Sequence, residues 1–166
     1  MIKPEKLDQE VVDILLPLLS KELSHFYMYR NASNWANNVG FLKAGKYFAE
    51  ESEEESGHAK KIEQYLVDWN VQPMLPTVNP PVTMEFGNIG DLISHVYTKE
   101  YELYADYEDA SMKIFDTGDL CVFDFLQEFR KIQKDAVALY SDMLNKLEGV
   151  DVANKFQMLM LEEKLF

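Results

Sequence analysis

Residues 50–58 read Glu50-Glu51-Ser52-Glu53-Glu54-Glu55-Ser56-Gly57-His58, an acidic run that ends in Glu-x-x-His. Residues three apart project from the same side of a helix, so the Glu55 carboxylate and the His58 imidazole can reach one point. Stepping outward by sevens gives Phe41, Phe48, Glu55, Ile62 and Trp69, an apolar stripe with one carboxylate in its middle. An unpaired buried carboxylate is costly, so Glu55 requires either a helix turned outward or a compensating cation. A lone Glu-x-x-His recurs on many solvated helices, and the rest of the chain must decide between the two.

The 166 residues suit one domain with a full core, and 47% hydrophobic residues with 13% aromatics exclude a disordered chain. A net charge of −13 argues against nucleic acid or anionic membrane surfaces as partners. The single Cys121 excludes an intramolecular disulfide and fits a reducing compartment. Met1–Glu10 is charged and no apolar run approaches a membrane span, so no signal peptide and a cytoplasmic setting are expected.

The first helix is expected over about 4–34, with Leu15, Leu19, Glu22, Phe26, Tyr29 and Ser33 on one stripe. Pro17 lacks an N–H and clashes with the preceding turn, so a kink near Asp13-Ile14 is expected, the alternative being a separate short N-terminal helix. Asn37-Asn38-Val39-Gly40 reads as a turn, and about 41–69 as the second helix. Asn70 to Gly90 holds Pro73, Pro76, Pro80 and Pro81 and has neither helical nor strand periodicity. At about 3.3 Å per residue this connection can span a helix of about 45 Å, leaving helices two and three parallel. The third helix, about 89–115, turns Ile93, Val96, Glu100, Leu103, Tyr107, Ala110 and Ile114 inward. After the turn Asp116-Thr117-Gly118-Asp119, the fourth helix, about 119–148, presents Val122, Leu126, Phe129, Gln133, Ala136, Tyr140, Met143 and Leu147. A short last helix, about 152–165, is apolar enough to require a packing partner.

Each long stripe is thus broken once, by Glu22, Glu55, Glu100 or Gln133. Glu22 and Glu55 are 33 residues apart, as are Glu100 and Gln133, and the midpoints fall at Asn38-Val39 and Asp116-Thr117, inside the two expected turns. Within each antiparallel hairpin the two polar residues should therefore lie level, and the chain reads as two similar hairpins joined by one crossover. Docked as a four-helix bundle, the hairpins bring three carboxylates, one imidazole and one amide to one buried level. Such a level repels itself unless cations intervene. The competing reading, mis-registered stripes with solvated acids, accounts for any one helix but poorly for four at matched depth. Mostly oxygen ligands with one imidazole suit iron or manganese better than thiolate-rich zinc sites do. In this reading Glu55 bridges two ions, with Glu22 and His58 on one and Glu100 on the other. So few protein ligands leave coordination positions open for water or dioxygen, which marks a site for chemistry.

On these residues the sequence resembles the non-haem bacterial-type ferritins, from about Ser20 to the C-terminus, with the ligand pattern general to ferritin-like di-iron bundles. The matching pieces are Lys21-Glu22-Leu23 with Tyr29, Glu54-Glu55-Ser56-Gly57-His58, Lys99-Glu100, and Phe125-Leu126-Gln127 with Gln133. The resemblance implies an all-α, ferritin-like four-helix bundle with one long crossover between helices two and three and a short C-terminal fifth helix. It also implies a hollow shell of 24 identical subunits that stores ferric oxide, with a di-iron ferroxidase centre oxidising Fe(II) by dioxygen or peroxide. Glu22, Glu55 and His58 would hold one iron, while Glu55, Glu100 and Gln133 would hold or flank the other. Tyr29 would supply an electron, unless its hydroxyl serves only core packing.

The departures narrow the relatives. Gln133 and Ala136 stand where bacterioferritins carry a second Glu-x-x-His, so the second iron should be held more loosely, favouring transit over a permanent cofactor. Ser56 replaces the haem-ligating methionine of bacterioferritins, so no haem is expected. Mini-ferritins put their site between subunits and lack the last helix. A third iron site at Glu54 and Asp135 is put in doubt by the neighbouring Ile132 and Ala136, while Asp124 and Glu128 are candidates for an acidic entry channel. Glu50, Glu51, Glu53 and Glu54 are expected on a solvated face, His25 and His95 at the surface or an interface, Met158 and Met160 in packing, and Gly57 at a close helix contact. The rival functions are a discrete di-iron carboxylate oxidase that retains its metals and a non-catalytic shell protein.

Overall fold

Apolar residues at alternating spacings of three and four run along four long segments, and burying those stripes against one another makes the fold. The computed structural model describes residues 6–166. Among these residues there are five α-helices and no strand: α1 Gln9–Val39, α2 Leu42–Asp68, α3 Ile89–Thr117, α4 Leu120–Leu147 and α5 Lys155–Leu165. The protein is an all-α four-helix bundle with one long crossover and a short C-terminal helix. α1 packs on α2 and α3, and α4 packs on α3. The side chains of α2 and α4 meet at Tyr65 and Phe125, whose rings stack 4.0 Å apart, and at the Lys61–Glu128 ion pair.

Two apolar layers fill the bundle. One gathers Leu15, Leu19, Ile62, Leu103, Ile114 and Leu126; the other gathers Ala36, Phe48, Leu92, Ile93, Val96 and Met143. The N-terminal halves of α2 and α3 share the second layer and their C-terminal halves the first, so the two helices run parallel. Their crossover, 69–88, is held to the bundle by the buried Val71, the edge-on Trp35 and Phe86 rings, and a 3.2 Å hydrogen bond from the Asn31 amide to the Met84 carbonyl. Asn88 ends the crossover as a cap, its side chain accepting the Asp91 N–H at 3.0 Å.

The helix ends depart from expectation in an informative way. α1 begins at Gln9 rather than position 4 and continues to Val39, through Asn37 and Asn38; positions 4 and 5 lie outside the described residues. It also runs through Pro17 without interruption, so a separate short N-terminal helix is not what forms. The first turn is made by Gly40, left-handed at φ 92°, and the second by Gly118 at φ 79°, a conformation that glycine adopts without a Cβ penalty. Both turns fall later than the midpoints. Glu22 is 18 positions before Gly40 and Glu55 15 after it, just as Glu100 is 18 before Gly118 and Gln133 15 after it. The paired polar residues are therefore not level: Glu55 sits about one helical turn nearer the loop than Glu22. The residue 18 positions after Gly40 is His58, and its counterpart after Gly118 is Ala136.

α5 starts at Lys155 rather than 152, where the Asn154 side chain accepts the Gln157 N–H at 3.2 Å. It closes the end of the second layer with the buried Met158 and Leu165 and lays Phe166 against Tyr47 and Phe48. Phe41, which precedes α2, offers no side-chain cap. The Glu162 carboxylate supplies one from α5, accepting the Lys43 and Ala44 N–H groups at 2.7 and 2.9 Å. Met160 is exposed, so the expected Met158–Met160 pair divides between core and surface. No helix among the described residues is long and apolar enough to cross a membrane.

Candidate metal centre

Between the two apolar layers, Glu22, Glu55, His58, Glu100 and Gln133 are all buried, one or two from each long helix. His58 Nδ1 lies 3.4 Å from Glu22 Oε2 and 3.5 Å from Glu55 Oε2, and the ligand atoms of these three residues fall within 4.8 Å of one another. Among the described residues they form the only such His, Cys, Asp and Glu group. Each of the five residues also contributes one buried atom without a hydrogen-bond partner: Glu22 Oε2, Glu55 Oε2, His58 Nδ1, Glu100 Oε2 and Gln133 Oε1. Buried polar atoms are ordinarily paired, so the close group of Glu22, Glu55 and His58 makes a candidate metal site, and Glu100 is not part of that three-residue group. Carboxylate oxygens, one amide oxygen and one imidazole nitrogen fit iron.

The electrostatics agree with that reading. Burial pushes the Glu55 carboxyl well above its ordinary range, with the Glu22 and Glu100 charges adding to the effect and His58 opposing it. Burial would raise Glu22 too, but His58, Glu55 and Tyr107 outweigh it and the net direction is downward. Burial acts to lower His58, yet the Glu22 and Glu55 carboxylates override it and raise the ring to about 10. Burial raises Glu100 against the opposing His25 and Tyr29.

Two tyrosines hold the carboxylates from outside. The buried Tyr29 hydroxyl on α1 donates to Glu100 Oε1 on α3 at 2.6 Å, and the buried Tyr107 hydroxyl on α3 donates to Glu22 Oε1 on α1. The arrangement is reciprocal, since Tyr29 lies seven residues after Glu22 and Tyr107 seven after Glu100. Reading Tyr107 as an ordinary stripe residue missed this; the repeated seven-residue spacing was the available signal.

Other expected positions need correction. His25 is buried, not at the surface: its Nδ1 and Nε2 lie 3.1 Å from the Lys21 and Lys99 carbonyl oxygens, tying α1 to α3 beside Glu100. Its partners are backbone oxygens, which no side-chain pattern reveals. His95 is half-buried against Phe86, and burial lowers its ring below the ordinary value. Glu51 leaves the solvated face: it is half-buried beside Tyr47, and burial, with Glu54 and Glu100, raises its carboxyl to about 7. Glu50, Glu53 and Glu54 are exposed as expected. Gly57 makes no close helix contact, because a Cβ built there meets nothing within 4 Å. Asp135 and Asp124 are exposed, and the exposed Glu128 pairs with Lys61 at 2.5 Å.

Residues 12–150 match the family described as "Ferritin-like domain". The chain is 25% identical over 141 residues to a probable bacterial non-heme ferritin-like protein of Haemophilus influenzae, covering 85% of each. It is 26% identical over 142 residues to a bacterial non-heme ferritin of Campylobacter jejuni, covering 86% of this chain and 84% of that one. Among solved structures, a humanized archaeal ferritin superposes with a TM-score of 0.90 at 19% identity, covering 96% of this chain and 97% of that one. An open pore ferritin of Archaeoglobus fulgidus gives 0.89 at 20% identity, with coverage of 96% and 98%. At those identities the structures bear on the fold alone. The sequence match, which spans all four long helices almost completely, shows that this chain belongs to the ferritin family.

Proposed function

We propose that this chain is an iron-storage ferritin that oxidises Fe(II) in its bundle core and passes Fe(III) to a mineral inside a multi-subunit shell. The close group of Glu22, Glu55 and His58, buried between two apolar layers with one atom of each lacking a hydrogen-bond partner, carries the reading. Glu22, His58 and Glu55 take the first Fe(II), and Glu55 reaches toward a second held by Glu100 and Gln133. Binding displaces the His58 proton, because only the neutral ring has a lone pair to give. The second position is the weaker one. It has no imidazole, since Ala136 occupies the level that His58 holds in the other hairpin, and this suits iron as a passing substrate. Open coordination positions admit dioxygen or peroxide as oxidant. The Tyr29–Glu100 hydrogen bond supports Tyr29 as a source of one electron.

A homo-oligomeric shell, 24 subunits on the family pattern, completes the proposal, with no haem because Ser56 offers no ligand. The lone, exposed Cys121 supports a reducing, cytoplasmic setting. The test is aerobic Fe(II) oxidation followed optically with increasing iron per subunit, beside Glu55→Ala. Fast oxidation continuing far past two irons per subunit, with the initial phase lost in the variant, is the expected result. A fast phase stopping at two irons would favour a discrete di-iron oxidase that retains its metals, and no difference between wild type and variant would remove Glu55 from the centre.

A further inference from the structure

Tyr29, Tyr140 and Tyr47 stand in line from the metal centre to the bundle surface. Tyr29 is fully buried and its hydroxyl ends on Glu100. Its ring stacks on that of Tyr140, with centroids 6.5 Å and planes 29° apart. Tyr140 is fully buried as well, and its hydroxyl lies 3.4 Å from that of Tyr47. Tyr47 is half-buried, with its hydroxyl beside Glu51 and its ring against Phe166.

Buried phenols need hydrogen-bond partners, and that accounts for each pair alone. It does not account for a third phenol between the other two, where a leucine would fill the same space without a polar atom to satisfy. Tyr107 supplies the contrast. Its hydroxyl ends on Glu22 and its ring stacks on Phe129, 5.2 Å away and 11° from parallel, so the next ring is a phenylalanine, not a phenol. Tyr107 holds a ligand; the other three tyrosines make a path.

We propose that Tyr29, Tyr140 and Tyr47 form a relay that moves oxidising equivalents, one at a time, from the metal centre to the half-exposed Tyr47. The proposal rests on the ferroxidase reading above and explains how an asymmetric centre meets a two-electron oxidant. With one Fe(II) bound, hydrogen peroxide lacks a second electron. Cleavage of its O–O bond takes one electron from Fe(II) and one electron and the phenolic proton from Tyr29, giving Fe(III), a tyrosyl radical, one water and one hydroxide. Tyr140 then returns an electron and its phenolic proton to Tyr29, and Tyr47 does the same for Tyr140. A small enediol reductant of the ascorbate type restores Tyr47 by a last transfer of one electron and one proton.

The test loads wild type, Tyr29→Phe, Tyr140→Phe and Tyr47→Phe anaerobically with one Fe(II) per subunit and mixes them with hydrogen peroxide. Fe(III) is followed optically and the radical by freeze-quench EPR, whose line shape reports each ring's side-chain torsion, with and without ascorbate. In wild type the radical is expected on Tyr47 and is quenched by ascorbate. Tyr140→Phe should confine it to Tyr29, with loss of ascorbate quenching, and Tyr47→Phe should hold it on Tyr140. Fe(III) formation should stay unchanged in both, and Tyr29→Phe should abolish the radical. Should Tyr140→Phe unfold the bundle, Tyr47→Phe at the half-exposed end decides the question. The same line shape and ascorbate sensitivity in wild type and the relay variants would overturn the relay while the Fe(III) trace still upheld the centre. Absence of Fe(III) formation in wild type would overturn both, and the optical trace separates the two failures.

Discussion

At the scale of single residues, His58 faces two buried carboxylates, Glu22 and Glu55. Its ring is raised from 6.5 to about 10 because Glu22 and Glu55 outweigh the burial that would lower it. A group raised on folding stabilises the fold fully below its unfolded value and loses that contribution as the pH climbs through the folded one. Metal-free protein should therefore lose thermal stability between about pH 6.5 and pH 10. His58→Gln should flatten that slope, with melting midpoints across the range as the measurement; an equally steep slope in the variant would contradict the assignment. The four polar interruptions were legible in the sequence because each broke an apolar stripe, and His58 because it stands three residues after Glu55. His25 was not legible, because its partners are carbonyl oxygens on two helices.

At the scale of elements, the first turn of α2 is completed by a residue more than a hundred positions later. Glu162 accepts two N–H groups that no nearby side chain can reach. Glu162→Ala should cost about 1–2 kcal/mol, the range for a lost cap or charged hydrogen bond. Faster hydrogen exchange confined to the start of α2 would locate the loss, and unchanged exchange at Lys43 and Ala44 would refute it. Periodicity gave the helices their approximate extents, but Asn37, Asn38 and Val39 remained helical against their turn-forming character. A helix ends where a left-handed residue and the next packed segment allow it, and at Gly40 both conditions were met three residues after Asn37.

At the scale of the whole molecule, Phe115, Leu120, Phe156 and Met160 stay 55%, 60%, 72% and 67% exposed in a single chain. Phe115 and Leu120 flank the α3–α4 turn and Phe156 and Met160 lie on α5 beside the opposite apolar layer, two separate exposed apolar spots that agree with contacts in the proposed shell. Phe156→Glu combined with Met160→Glu should shift the native mass from a large assembly toward small species while helix content is retained; an unchanged mass would remove α5 from the assembly contact. By itself the sequence determined four amphipathic helices, one crossover, and which residue of each apolar stripe is the polar one. Those features follow from local periodicity and from spacings counted along the chain. Only the tertiary structure decided that His58 rather than Glu55 lies level with Glu22, that Tyr29 and Tyr107 exchange helices to hold the carboxylates, and that Glu162 caps α2. Each of these depends on the vertical register between helices, which the turns set to within a residue or two, and a one-residue shift on a helix rotates a side chain by about 100°.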